Sequence, residues 1–243
     1  MKFHFGINNH KLPFPPLLMA LPLKLIFGSK FSRIIGNQHN RTYLGGSDNA
    51  VSGNGEIQTE VREVTPFRRI DVGSAFHVDI ACGPEESLTV TADSNLLEYI
   101  ETEVVDDTLR MRHTGDNISP TQNIEILVTA PYIEDFIISG ASKAMVTGIE
   151  NEHIRISVDG AAKAHIAGTA EDAQITVSGA AKLDAQELHC TDLEAKVSGA
   201  GKASVYASNR LAAEGSGAGK MNCYGSPEHV NRQASGAAKV TMH

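Results

Sequence analysis

The chain has 243 residues, 41% of them hydrophobic but only 5% aromatic, with no Trp. Filling a core with Ala, Val, Ile and Leu suits many thin layers better than one thick centre. The formal charge of −8 excludes general nucleic-acid binding, which needs a basic face to neutralise phosphates.

Residues 1–51 read as an export leader or a disordered N-terminal segment. Leu17–Phe27 is an apolar run preceded by Lys2 and Lys11, the outline of a signal sequence. Pro13, Pro15, Pro16 and Pro22 break it, Lys24 interrupts it, and no A-x-A cleavage site follows. No run reaches the roughly 18 uncharged apolar residues of a membrane-crossing helix.

Residues 52–138 alternate between strand-like runs and turn signals. The runs are Glu56–Val64, Phe67–Val72, Phe76–Ala81, Ser87–Ala92, Thr108–His113 and Ile124–Ala130. Turns are marked by Cys82-Gly83-Pro84-Glu85, Thr114-Gly115-Asp116-Asn117 and Ala130-Pro131. Asp93–Ile100 reads as a short helix capped by Asp93 or Ser94. This half is expected to open the solenoid that follows and to cover its first coil.

From residue 139 to 243 one phrase recurs six times. It reads Ser139-Gly140-Ala141-Ser142-Lys143, Asp159-Gly160-Ala161-Ala162-Lys163, Ser178-Gly179-Ala180-Ala181-Lys182, Ser198-Gly199-Ala200-Gly201-Lys202, Ser216-Gly217-Ala218-Gly219-Lys220 and Ser235-Gly236-Ala237-Ala238-Lys239. Successive lysines are 20, 19, 20, 18 and 19 residues apart. That is shorter than helix-pair repeats of about 33 residues or more, and the L-x-x-L-x-L phrase of leucine-rich repeats is missing. On both sides of each phrase, apolar and variable positions alternate, as in Ile154-Arg155-Ile156-Ser157-Val158 and Ala164-His165-Ile166. Period two means strand.

The fold expected is therefore all-β: a single-stranded β-helix, or solenoid, of about six coils of 18–20 residues, behind an irregular strand-rich cap. Gly140, Gly160, Gly179, Gly199, Gly217 and Gly236 supply the bends between strands. The Ala two before each Lys and the small residue after it are expected to keep a narrow core free of clashes. The Ser and Lys columns are expected to face water.

Several phrases together resemble one bacterial family. They are Pro66-Phe67-Arg68-Arg69-Ile70-Asp71-Val72-Gly73-Ser74-Ala75-Phe76-His77-Val78-Asp79-Ile80, Asp93-Ser94-Asn95-Leu96-Leu97, Thr108-Leu109-Arg110-Met111, Val128-Thr129-Ala130-Pro131 and the serial Ser-Gly-Ala-x-Lys repeats. The family is described as "putative auto-transporter adhesin, head GIN domain", a domain of unknown function common in Bacteroidetes. The resemblance spans roughly residues 55–243. It implies a right-handed β-helix and an exported, periplasmic or cell-surface location, and it brings no established catalytic residues.

Sites of chemistry are sparse. Gly201-Lys202 and Gly219-Lys220 hint at a phosphate loop, but the Walker pattern needs Gly where Lys196 and Glu214 stand, and Ser or Thr where Ala203 and Met221 stand. His165, Asp184 and Ser204 fall two residues past consecutive repeat lysines, with the acid in the middle, where a triad needs the histidine. His153, His165, His189 and His229 occupy different offsets, so no metal stack is expected. Cys82, Cys190 and Cys223 form neither a disulfide framework nor a zinc pattern; one bridge, or three buried thiols, are the readings open.

No catalytic residue, cofactor or metal is assigned. The column Lys143, Lys163, Lys182, Lys202, Lys220 and Lys239 has two readings: long stems that cover the bend and keep the sheet soluble, or a linear cationic stripe that meets an acidic glycan or another anionic surface polymer. The partners expected are an acidic glycan or another envelope protein. The leading function is a non-enzymatic envelope or secreted adhesin-like module with a flat repetitive surface. A structural, self-associating envelope module is the second class. A carbohydrate-active enzyme is the third, with Asp159 and Asp184 as the carboxylates that neighbouring coils would have to bring together. The last phrase lies so near residue 243 that its coil is expected to pair with another copy or another protein.

Overall fold

The computed structural model describes residues 50–114 and 117–243. Nearly all of the expected leader, and the centre of the turn at residues 114–117, lie outside the described residues. In chain order the strands are β1 (Val51–Ser52), β2 (Ile57–Arg62), β3 (Arg69–Val72), β4 (His77–Cys82), β5 (Ser87–Asp93), β6 (Ile100–Val105), β7 (Thr108–His113), β8 (Ile118–Ser119) and β9 (Glu125–Ala130). They continue with β10 (Asp135–Ile138), β11 (Lys143–Val158), β12 (Lys163–Val177), β13 (Lys182–Val197), β14 (Lys202–Gly215), β15 (Lys220–Tyr224), β16 (His229–Ala234) and β17 (Lys239–Met242).

From β10 onward each repeat lies on the one before it, in parallel and in register. Lys143 pairs with Lys163, Lys163 with Lys182, Lys182 with Lys202, Lys202 with Lys220, and Lys220 with Lys239. The chain is a β-solenoid whose six bends delimit five complete turns. Strand following a bend forms the front face, and strand preceding one forms the rear face. Alternation sends Ala144, Val146, Ile154, Ile156 and Val158 of β11 inward, and the same offsets are buried in β12, β13 and β14. Aliphatic side chains therefore stack on aliphatic side chains, coil upon coil, and no large aromatic is needed to fill the interval.

The bends show why glycine recurs. The six glycines have φ between +66° and +73°, the left-handed region that costs any residue with a Cβ. In Gly160, Gly179, Gly199, Gly217 and Gly236 an added Cβ would stand 2.7–2.9 Å from the carbonyl oxygen of the glycine one coil below. The small residues divide differently from expectation. The alanine two before each lysine is exposed, whereas the next residue turns inward: Ser142, Ala162, Ala181, Gly201 and Gly219 are buried, and Ala238 half-buried. A two-residue period allows only one of the pair to face the core. The motif serines also differ: Ser139, Ser178, Ser198 and Ser216 are half-buried, and Ser235 is exposed.

The stack begins earlier than the repeats. β3 and β4 form a coil whose bend is Ser74, with φ +71°, and β4 lies in register under β11, His77 beneath Lys143. β7 and β9 lie outside that coil, paired with β3 and β4. Space order thus departs from chain order: the layer made later in the chain is the outer one. Beyond it, antiparallel β5 and β2 extend the front sheet from β9, and antiparallel β6 extends the rear sheet from β7. Arg62 on the inner side of β2 donates to the carbonyls of Leu97 and Ile100 and to Thr102 Oγ1, clipping the front sheet to the rear at this end. At the other end Arg232 of β16 takes the inward position that Ala213 holds one coil below, and it is exposed. A charge there disfavours continuing the apolar column.

The expected helix at Asp93–Ile100 is not formed. A single 3-10 turn spans Leu97–Tyr99, its N-cap position is Leu96 without a side-chain cap, and β6 starts at Ile100. Eight residues are too few to nucleate a helix unaided, and burial of Leu96, Leu97 and Ile100 sets the backbone instead. Asp93 is recruited elsewhere. Its carboxylate accepts from Thr121 Oγ1 at 2.7 Å, from Gly55 N–H at 2.8 Å and from Thr121 N–H at 2.9 Å, tying three cap segments together.

Gly179→Ala is expected to cost at least about 2 kcal/mol of stability, while Ala180→Gln beside it changes stability by less than about 0.5 kcal/mol. Denaturant titration checks the contrast. A second expectation concerns acid. The bond from Thr121 Oγ1, helped by the backbone donors, holds the Asp93 carboxyl below the usual range. Its stabilisation is then present above about pH 4 and is lost as pH falls through the usual aspartate value toward the lower folded one. Asp93→Asn should melt earlier at neutral pH and show a shallower loss of melting temperature on acidification.

Candidate functional site: a lysine row on the front face

All six repeat lysines are exposed, on adjacent strands of one sheet. Strand spacing of about 4.8 Å makes the row roughly 24 Å long. Two further members of this file precede them: Lys143 lies over His77, and His77 over Glu125. Sequence reasoning missed both. The signal for His77 was Gly73-Ser74-Ala75-Phe76-His77, a degenerate copy of the repeat phrase with Ser at the bend; Glu125 has no such phrase before it.

Among the described residues none of the six lysines lies within 4.0 Å of a carboxylate. The rear face contrasts with this. There Lys196 reaches Glu194 at 2.8 Å, Arg155 reaches Asp135 at 3.0 Å, Arg112 reaches Asp71 at 2.5 Å and Arg210 reaches Asp192 at 3.9 Å. Adjacent lysines about 4.8 Å apart in water repel by roughly 0.9 kcal/mol per pair before screening and splaying. Among the described residues no carboxylate offsets this repulsion, and an anion placed along the row would relieve it.

The neighbouring outward file contains His165, Asp184 and Ser204 in register. The Asp184 carboxylate is 3.9 Å from His165 Nδ1, on the middle of the three coils. His165 and Ser204 are two strands apart, about 9.6 Å, too far for the hydrogen bond that would activate a hydroxyl. Asp159 and Asp184 are not brought together. Asp159 lies beside a bend, where the Ser178 hydroxyl donates to it and, with the Gly160 N–H, lowers its pKa. The amides of the Gly-Lys pairs are already engaged: Gly201 N–H donates to Ser198 O at 3.2 Å within its bend, and Lys202 N–H to Ala181 O at 2.9 Å on the coil below. Gly219 N–H likewise donates to Ser216 O at 3.3 Å, and Lys220 N–H to Gly201 O at 2.9 Å.

The histidines are dispersed: His153 contacts Asp172 at 3.1 Å, His189 meets Tyr206 edge-on, and His229 pairs with Arg210 in the rear sheet. No group of three or more His, Cys, Asp and Glu side chains among the described residues is placed to hold a metal ion. The three cysteines are free thiols. Burial pushes Cys190 up to about 12 and Cys223 up to about 11, leaving them protonated core residues; Cys82, half-buried, is also raised.

The match of this architecture to known proteins is specific. The family model described as "Putative auto-transporter adhesin, head GIN domain" covers residues 66–227. The chain belongs to that family. Among solved structures, a "putative adhesin" from Bacteroides fragilis is 19% identical, with 80% of this chain covering 100% of that one at a TM-score of 0.68. A "putative adhesin" from Parabacteroides merdae is 15% identical over 80% of this chain and 99% of its own, at 0.52. A "putative lipid binding protein" from Parabacteroides distasonis is 17% identical over the same shares, at 0.51. At such identities the likeness is one of fold. No curated protein matches the chain. No helix among the described residues of this GIN-domain protein is long and apolar enough to cross a membrane.

The absence of compensating carboxylates predicts how the row responds to neutralisation. Replacing Lys182, Lys202 and Lys220 together by Gln should leave the melting temperature unchanged or raise it at low salt. Any gain should vanish above about 0.5 M salt. A clear loss of stability at low salt would mean that the lysines hold the sheet together.

Proposed function

We propose that this GIN-domain protein is a non-catalytic binding module, exported to the cell envelope, whose lysine row engages a linear anionic polymer of the acidic-glycan type. The observation that carries this reading is the row itself: six cations in register, without acidic partners among the described residues, on a chain of net charge −8. Whole-molecule charge repels a polyanion, so attraction has to come from a local feature. The adhesin wording of the family supports a surface that binds, and it also supports export. Each lysine contributes a weak, solvent-exposed contact, and a polymer gathers them through effective concentration once the first is made.

Retention on immobilised polygalacturonate, with neutral dextran as the control, tests the reading. The unmodified protein should be held at low salt and released as salt rises. The Lys182→Gln, Lys202→Gln, Lys220→Gln variant should pass close to the void. Equal retention of the two proteins would refute the stripe as the binding element.

A further inference from the structure

Among the hollows of the described residues, one lies where layer order and chain order part. β9 lies directly outside the β3–β4 coil and β10 on its other side, so residues 131–134 must climb past one layer at the corner opposite the bends. Asn151 Nδ2 serves this detour by donating to the carbonyl of Ile133 at 2.6 Å. Two adjoining hollows of about 400 and 700 Å³ result, sharing Tyr132 and Glu134.

The lining is a particular mixture. Tyr132 is a half-buried ring on one side, and Ile154 and Phe67, 4% and 3% exposed, give small apolar floors. Around them stand polar groups paired with one another across layers. Arg68 donates to Glu134 at 2.9 Å; Arg155 donates to both carboxylate oxygens of Asp135 at 3.0 and 3.3 Å; His153 Nδ1 is 3.1 Å from Asp172. This pairing gathers donors and acceptors around the apolar floors, most of them still open to solvent.

This chemistry selects among ligand classes. An anion is disfavoured, because both guanidinium groups are already held by carboxylates. A lipid is disfavoured, because the apolar floors are small and rimmed by ion pairs. A polyhydroxylated neutral molecule suits it: vicinal hydroxyls donate to carboxylates and accept from guanidinium or imidazole, while ring C–H groups pack on the electron-rich face of Tyr132. We propose that the hollow around Tyr132 is a second binding site, for a neutral saccharide. It shares no residue with the lysine row and does not depend on it.

The test is titration of the full chain with neutral tetrasaccharides cut from β-glucan, mannan and xylan, followed by calorimetry, with spermine as a basic comparison ligand. At least one saccharide should bind with Kd at or below about 1 mM. Tyr132→Ala and Asp172→Asn should each weaken it by about tenfold or more, and the triple lysine-to-Gln variant should bind it as the unmodified protein does. Tyr132→Phe, which keeps the ring, should retain most of the affinity. Absence of saccharide binding up to about 10 mM overturns the proposal. So does affinity that survives the substitutions, or spermine binding without saccharide binding. Should Tyr132→Ala fail to fold, the exposed Asp172→Asn change decides alone. Loss of polygalacturonate retention in the lysine variant with saccharide binding intact would show that the two sites stand or fall separately.

Discussion

At every bend the backbone passes so close to the bend beneath it that a methyl group has no room. The oxygen of Gly160 stands 2.7 Å from where a Cβ of Gly179 would be, and that contact recurs along the column with little change. It sets the axial spacing at the corner, and the amide of the following alanine closes the interval with a hydrogen bond of 2.7–2.8 Å to the same oxygen. With the corner pinned, strands on either side have one register available. The lysines fall in line because the glycines do.

Such translational repetition bears on what the surface is able to do. Catalysis asks unlike groups to converge on one point, with a nucleophile, a base and an orienting acid in a fixed order. A solenoid face puts like beside like, and even where types differ, as at His165, Asp184 and Ser204, the order along the axis is dictated by the stack rather than by chemistry. Repetition favours polymers, whose own period meets a row of equivalent contacts.

The period, the bends, the inward and outward alternation and the lysine column were all legible in the amino acids, since each follows from a local phrase repeated at nearly constant spacing. What escaped notice depended on relations between distant segments. Asp93 resembles a helix cap because its neighbours Ser94 and Asn95 are cap-like, yet Thr121 and Gly55 claim its carboxylate. The coil at Ser74 lacks the glycine that marks the others. Pairing of β7 and β9 outside β3 and β4 reverses the order in which the chain is made, and no local signal carries that reversal. The hollow at Tyr132 exists only because of it. The alanines before each lysine misled for a simpler reason: two small neighbours look alike in composition, and only the strand's period shows which of them is outside.

One consequence of the glycine column concerns how the molecule changes in length. Every interval between Gly140 and Gly236 has interchangeable boundaries, since the atoms above and below each bend are nearly the same. Duplicating or excising one unit between them in the gene would leave Arg62 and Arg232 facing the surroundings they already have. Reach along the axis thus behaves as a counted quantity, adjustable one step of about 4.8 Å at a time without redesigning either extremity.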